Sequence, residues 1–315
     1  MRSIKSLCPL PTASLAILLA SVSAIPCTAQ APAQAPAQAP APPPAWSASI
    51  DAALGRHGAM NAGSVYKFGF PRSDMHVIVD GVQIKPALAL GSWIAFKPMG
   101  SGETIVMGDL VLAEAEVAPV MQALEDSGVM QTALHNHLLH EAPRVMYLHI
   151  MATGDAAKIA RAVHSALALS STPLGMPAAA TTTESVDLDT AAIAHTLGYS
   201  GKMNGGVYQI SVPRAETIRE HGEAIPPAMG VATGINFQPT GTGKAAITGD
   251  FVLLGSEVNP VIQALRSHSI AVAAVHSHML GEEPRLFFMH FWANDNAVTL
   301  ARGLRAALDA TTARR

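Results

Sequence analysis

The chain has only two cysteines in 315 residues, Cys8 and Cys27, and both lie in its first 27 positions. Residues 1–31 read as a secretory signal. Arg2 and Lys5 precede an apolar stretch from Ser14 to Ile25 that is too short to span a bilayer, and Ala29-Gln30-Ala31 offers a small-x-small cleavage site. With that segment removed the protein has no thiol. A disulfide scaffold, a cysteine nucleophile and a cysteine-ligated zinc site are then excluded, and any metal must be held by histidine and carboxylate. Such a chain suits an oxidising export compartment, periplasmic or secreted. A lipid anchor at Cys27 would be its one tie to a membrane, and Pro26 before it is a poor match to the small residue that position usually carries.

Basic charge is also scarce. Lys and Arg number 20 against 23 Asp and Glu, and loss of Arg2 and Lys5 leaves a net charge of about −5. Without a basic stripe, nucleic acid is not an expected partner. No Gly-rich phosphate loop, nucleophile motif or aromatic-basic groove is present. A small molecule or an envelope component remains as the partner class.

What the chain does have is an internal repeat. His135-Asn136-His137 and His149 recur as His276-Ser277-His278 and His290, each histidine displaced by 141 positions. The same offset relates Phe96 to Phe237, Gly108-Asp109 to Gly249-Asp250, Glu116 to Glu257, Pro119 to Pro260, Glu141 to Glu282 and Arg144 to Arg285. A constant offset of this length marks a duplication, and residues kept in both copies are those both copies need. The expected organisation is a signal at 1–31, a Pro/Ala/Gln-rich linker at 32–45, a first repeat module at 46–169, a second linker at 170–187 and a second module at 188–315.

Within each module the hydrophobic period alternates between two and 3.6. Strands are expected at 65–70, 91–96, 103–112, 132–139 and 145–151, with helices at 116–127 and 155–169; the second module repeats them. Pro119 and Pro260 fall in a first helical turn, where proline costs no hydrogen bond. The fold class is therefore α+β: a tandem duplication of an antiparallel-sheet module with two helices on one face, in the permuted ferredoxin-like order β-β-α-β-β-α.

The histidines carry the chemistry. His135 and His137, two apart on an expected strand, share a face, and a hairpin centred near residues 142–143 would lay His149 opposite them. Three neutral imidazoles with an open position describe a site for a divalent transition metal, zinc first and copper second. His135, His137 and His149 would form one site and His276, His278 and His290 another. Glu141 and Glu282 are candidate general bases. The second copy, with Phe287, Phe288, Phe291 and Trp292 around its hairpin, is expected to be the drier and tighter site. Three functions stay open: metal binding in each repeat, metal-dependent hydrolysis with Glu282 or Glu141 taking the proton, and a metal-free envelope interaction protein whose histidines form a polar core. The Gly-Asp pairs read equally as carboxylates orienting an imidazole or as bulges. Arg72 and Arg214, each after a proline, are candidates to line a cleft.

The blocks Ile235 to Pro239, Thr248 to Leu253, Glu257 to Val261, His276 to Met279 and Glu283 to Trp292 resemble DUF1259, a family of exported bacterial proteins of the LppY/LpqO type. The resemblance covers nearly the whole chain after the signal. It implies export, often with a lipid anchor, and brings no activity and no catalytic residues.

Overall fold

The computed structural model describes residues 44–176 and 187–314; the expected signal, most of the first linker and positions 177–186 lie outside them. Each module begins with a short helix the sequence reading did not anticipate, α1 (Ala48–Leu54) and α4 (Thr190–Leu197). The first module continues as β1 (Ala59–Asn61), β2 (Val65–Pro71), β3 (Gly91–Pro98), β4 (Thr104–Ala113), α2 (Val117–Asp126), β5 (Met130–His135), β6 (Val145–Gly154) and α3 (Ala156–Leu167). The second repeats it as β7 (Lys202–Asn204), β8 (Val207–Pro213), β9 (Ala232–Gly241), β10 (Lys244–Leu254), α5 (Val258–Ser267), β11 (Ala271–His276), β12 (Leu286–Asn296) and α6 (Ala297–Asp309).

Both sheets are six-stranded and antiparallel, with matching orders β1-β2-β3-β4-β6-β5 and β7-β8-β9-β10-β12-β11. The last four strands of each have the order of a permuted ferredoxin-like sheet, and the first two extend one edge. Among the described residues no helix is long and apolar enough to cross a membrane.

Alternation along the strands sorts the side chains into two layers. Phe68, Phe96, Leu110 and Ile150 point to the helices of their own module, where Leu124, Val163 and Leu167 cover them. Ala95, Ile105, Met107 and Met151 point the other way and pack against Val252, Leu286 and Phe288 of the second sheet. Val111 and Tyr147 likewise join Val207 and Trp292. The layers are thus helix, sheet, sheet, helix. Burial on both faces explains why β4 is apolar almost throughout instead of alternating.

Two segments lock the sheets together reciprocally. The stretch after β2 crosses to the second module, where the Lys85 N–H donates to Gln238 Oε1 at 2.7 Å and Gln209 Nε2 donates to the Ala87 carbonyl at 2.7 Å. The matching stretch after β8 crosses back, and Lys67 Nζ donates to the Ala228 carbonyl at 3.0 Å. At the base of each crossing sits a buried arginine. Arg72, 1% exposed, is held by both oxygens of Glu116 and by Asp74; Arg214 is held in the same way by Glu257 and Glu216. Glu116 and Glu257 also accept from the Ala113 and Leu254 N–H groups ahead of their helices. The matched Pro-Arg and Glu positions therefore bind the fold together, and neither arginine lines a cleft.

Candidate metal centre

The structure brings all six repeated histidines into one cluster between the two sheets, in place of two separate triads. The packing is reciprocal. The rings of His137 and His290 stand 3.8 Å apart between centroids, and those of His149 and His278, the exchanged pair, 3.7 Å. His135 meets its own counterpart His276 at 3.6 Å. Residue i touching j while j touches i is the signature of a two-fold relation.

The strand register differs from the one expected by two residues. β5 ends at His135, which pairs with Tyr147, while His149 pairs with Ala133 and, on its other side, Asp109. His137 thus reaches the cluster from the loop after β5 and lies flat on the Tyr147 ring at 3.3 Å. His278 does the same on Phe288 at 3.5 Å. The aromatic surroundings of the two copies are therefore alike at the imidazoles; Phe291 belongs to the core under the helices.

The carboxylates beside the imidazoles are Asp109 and Asp250. Asp109 lies 3.9 Å from His137 Nε2 and 3.8 Å from His149 Nε2; Asp250 lies 3.6 Å from His278 Nε2 and 3.8 Å from His290 Nδ1. These separations are too long for hydrogen bonds. Those to the Nε2 atoms fall inside the span of about 4.2 Å open to two ligands of one ion at ~2.1 Å. Polar residues in the middle of the otherwise apolar Ile105–Leu112 and Ala246–Leu253 were the signal for them. The glycines before them meet close backbone: a Cβ at Gly108 would stand 2.9 Å from the Trp93 carbonyl oxygen, and one at Gly249 would collide with that of Gly234.

Glu141 and Glu282 lie elsewhere, each in a small three-stranded sheet formed with the crossing segment of its own module. Glu282 accepts from the Leu286 N–H at 2.9 Å and from Arg285 at 3.2 Å; Glu141 accepts from the Val145 N–H at 3.3 Å. Neither belongs to any of the converging ligand groups.

Among the described residues four such groups occur: His135, His149, His276 and His278; His135, His137 and His290; Asp109, His137 and His149; Asp250, His278 and His290. In each, the ligand atoms lie within 4.8 Å of one another. The first two groups draw on both modules. Burial holds every imidazole in its neutral, metal-competent form. His135 is pushed down to about 4 and His290 to about 3, while His137, His149, His276 and His278 are all lowered by burial and then by their imidazole neighbours. Burial raises Asp109 to about 7, against the pull of Lys67, and raises Asp250 well above the usual carboxylate range. The His290 Nδ1–H donates to the Gly249 carbonyl at 2.8 Å, which leaves its Nε2 as the free lone pair.

Above the cluster opens a cleft of about 770 Å³, with His137, His149, His278 and His290 in its floor and Lys67, Trp93, Gln209 and Asn236 among its walls.

Comparison with known proteins gives one family and little else. No curated protein matches the chain. Among solved structures, a trimeric bacterial microcompartment shell protein, PduB, is 15% identical over 80% of this chain and 90% of its own, with a TM-score of 0.21. EtuB from Clostridium kluyveri is 14% identical over 79% of this chain and 89% of its own, with a TM-score of 0.18. The family described as Domain of Unknown Function (DUF1259) matches twice, at residues 48–169 and 191–310. Those two matches coincide with the two modules and together span most of the sequence: the chain is a member of the DUF1259 family, carrying the family domain in duplicate.

Proposed function

We propose that this protein is an exported metal-binding protein whose two modules jointly hold a divalent transition metal, zinc first and copper second. One observation carries the reading. Buried polar atoms without a hydrogen-bond partner are rare in folded proteins and call for an explanation. Here Nε2 of His135, His137, His149 and His290, Nδ1 of His276, and Oδ1 of both Asp109 and Asp250 are all such atoms, and all belong to residues of the four converging groups. A cation held by any one of those groups supplies the missing partner to its members. Left unpaired, each such atom costs about 1–3 kcal/mol.

The test is metal analysis of the untagged, freshly purified protein, followed by His149→Ala and His278→Ala. The two substitutions lie in different copies yet stack on each other. Each single variant is expected to lose as much metal as the double. Halving by each single and abolition by the double would show two independent sites, and a wild-type protein free of metal would return the histidines to a polar core.

A second reading, metal-assisted hydrolysis, is favoured by the open cleft, since a purely structural ion needs no access. In that case the carboxylate within reach of the ion is Asp109 or Asp250, in place of Glu282 or Glu141. A metal ion lowers the pKa of water beside it, and a carboxylate next to that water is placed to take the proton.

A further inference from the structure

The ligand set obeys the two-fold; the cleft above it does not. Every histidine and aspartate of the cluster has its identical counterpart in the other copy. Around them the matched positions differ in kind. Lys67 pairs with Ala95 across β2 and β3, and the same place in the second sheet holds Gln209 paired with Asn236. Trp93 pairs with Asp109, whereas its counterpart opposite Asp250 is Gly234. One wall is therefore cationic and aromatic, the other neutral and amide-lined.

We infer that this cleft binds a small organic oxyanion, a carboxylate or a phosphate monoester, seated between the Lys67 ammonium and the imidazole floor. The inference extends the metal-centre reading, on which the chemistry of the floor rests. Lys67 is the sole Lys or Arg among the described residues lining the cleft. Its Nζ lies 3.9 Å over the Trp93 ring and donates one hydrogen bond to the Ala228 carbonyl. An ammonium has three donors, so that carbonyl leaves capacity for an anion. The charges facing it are Asp109, whose field acts on it directly, and Lys202. Burial lowers Lys67 to about 8, so it stays mainly protonated at neutral pH. A volume of about 770 Å³ accommodates a small molecule rather than a lone ion. The asymmetry of the walls gives such a molecule one orientation, its acid end to Lys67 and its other end to the neutral wall.

The experiment titrates succinate, inorganic phosphate and the neutral succinamide into the full chain at low salt and pH 7, by calorimetry and tryptophan fluorescence. The same titrations are run on Lys67→Gln and Lys67→Arg, with metal content and thermal midpoint measured on each sample. Wild type should bind at least one of the two anions and ignore succinamide; which anion binds distinguishes a carboxylate from a phosphate ligand. Lys67→Gln should bind about 10- to 100-fold more weakly with its metal unchanged, the effect expected for one charge-assisted hydrogen bond. Lys67→Arg should recover most of the affinity, which a purely structural role over Trp93 would not require. A metal-loaded wild type that binds neither anion, or a folded Lys67→Gln that binds them equally well, overturns the inference. Anion binding through Lys67 in a chain that holds no metal keeps the inference and removes the metal reading; absence of both removes both.

Discussion

Metal-free protein is expected to lose stability as pH falls from 6.5 towards 4. Folded His135 and His290 hold no proton until about pH 4 and about pH 3, whereas unfolded histidine takes one near 6.5. A folded pKa below the unfolded one means that the unfolded chain binds more protons in this window, so stability present above pH 6.5 drains away as pH falls through it. At pH 5 the gap is about 1.5 units, or about 2 kcal/mol for each of the two at 1.36 kcal/mol per unit. Asp109 works in the opposite sense. Its folded pKa of about 7 exceeds the unfolded ~3.9, so the folded chain takes up its proton first and regains about 3 kcal/mol between pH 8 and pH 5. These three groups nearly cancel. The four further lowered imidazoles add to the loss, and the further raised carboxylate, Asp250, opposes it. Against a total stability of about 5–15 kcal/mol, a net loss of about 1 kcal/mol from the first three groups, deepened by the other imidazoles, lowers the midpoint in mild acid. Urea titrations of chelator-treated protein at pH 8, 6.5, 5 and 4 measure it, with a falling midpoint at constant slope expected. Zinc at 100 times its dissociation constant should add back about 2.7 kcal/mol at pH 7. A midpoint that stays level from pH 7 to pH 5 in the metal-free protein would refute the reasoning, because imidazoles able to accept protons in place are not desolvated.

Glu282→Gln should leave metal content unchanged and lower the thermal midpoint, since its carboxylate serves the Leu286 N–H and Arg285; loss of metal would put Glu282 back among the ligands. Gly249→Ala should cost about 1–3 kcal/mol through collision with the Gly234 carbonyl, and more than Gly108→Ala, as read by urea midpoints. Arg214→Met leaves Glu257 buried without its partner and should cost about 3–5 kcal/mol; an unchanged midpoint would mean that the Glu257 carboxylate is served well enough by the Leu254 and Thr312 N–H groups.

The local fold was legible because each element keeps its own period. Tyr66 and Phe68 alternate with Val65 and Lys67, and the helix after Glu116 carries its Val120 and Leu124 stripe at helical spacing. The histidines were legible because two diverged copies held all of them. What could not be read was that the two sites are one. That depends on which sheet face is turned to the other module, a contact between residues about 140 positions apart. The signal for it was present in β4, where Ile105 to Leu112 is apolar on both sides and so has to be covered twice. The crossing segments were opaque for a different reason. Pairs such as Ile78–Val79 with Val82–Gln83 are too short to show any period, and their partners come from the far hairpin.

Because two of the converging groups straddle the seam between modules, an isolated module carries only half of the histidine cluster. It could complete that cluster only by meeting another like itself, at a rate and affinity set by concentration. Covalent tethering turns the encounter into an intramolecular one. It also frees the partners from having to be identical. A self-paired module with Lys67 would place a lysine on both walls, and one with Gln209 would place none. Two distinguishable halves in one chain put one cation on one side, so the duplication gives a symmetric histidine cluster a handed mouth.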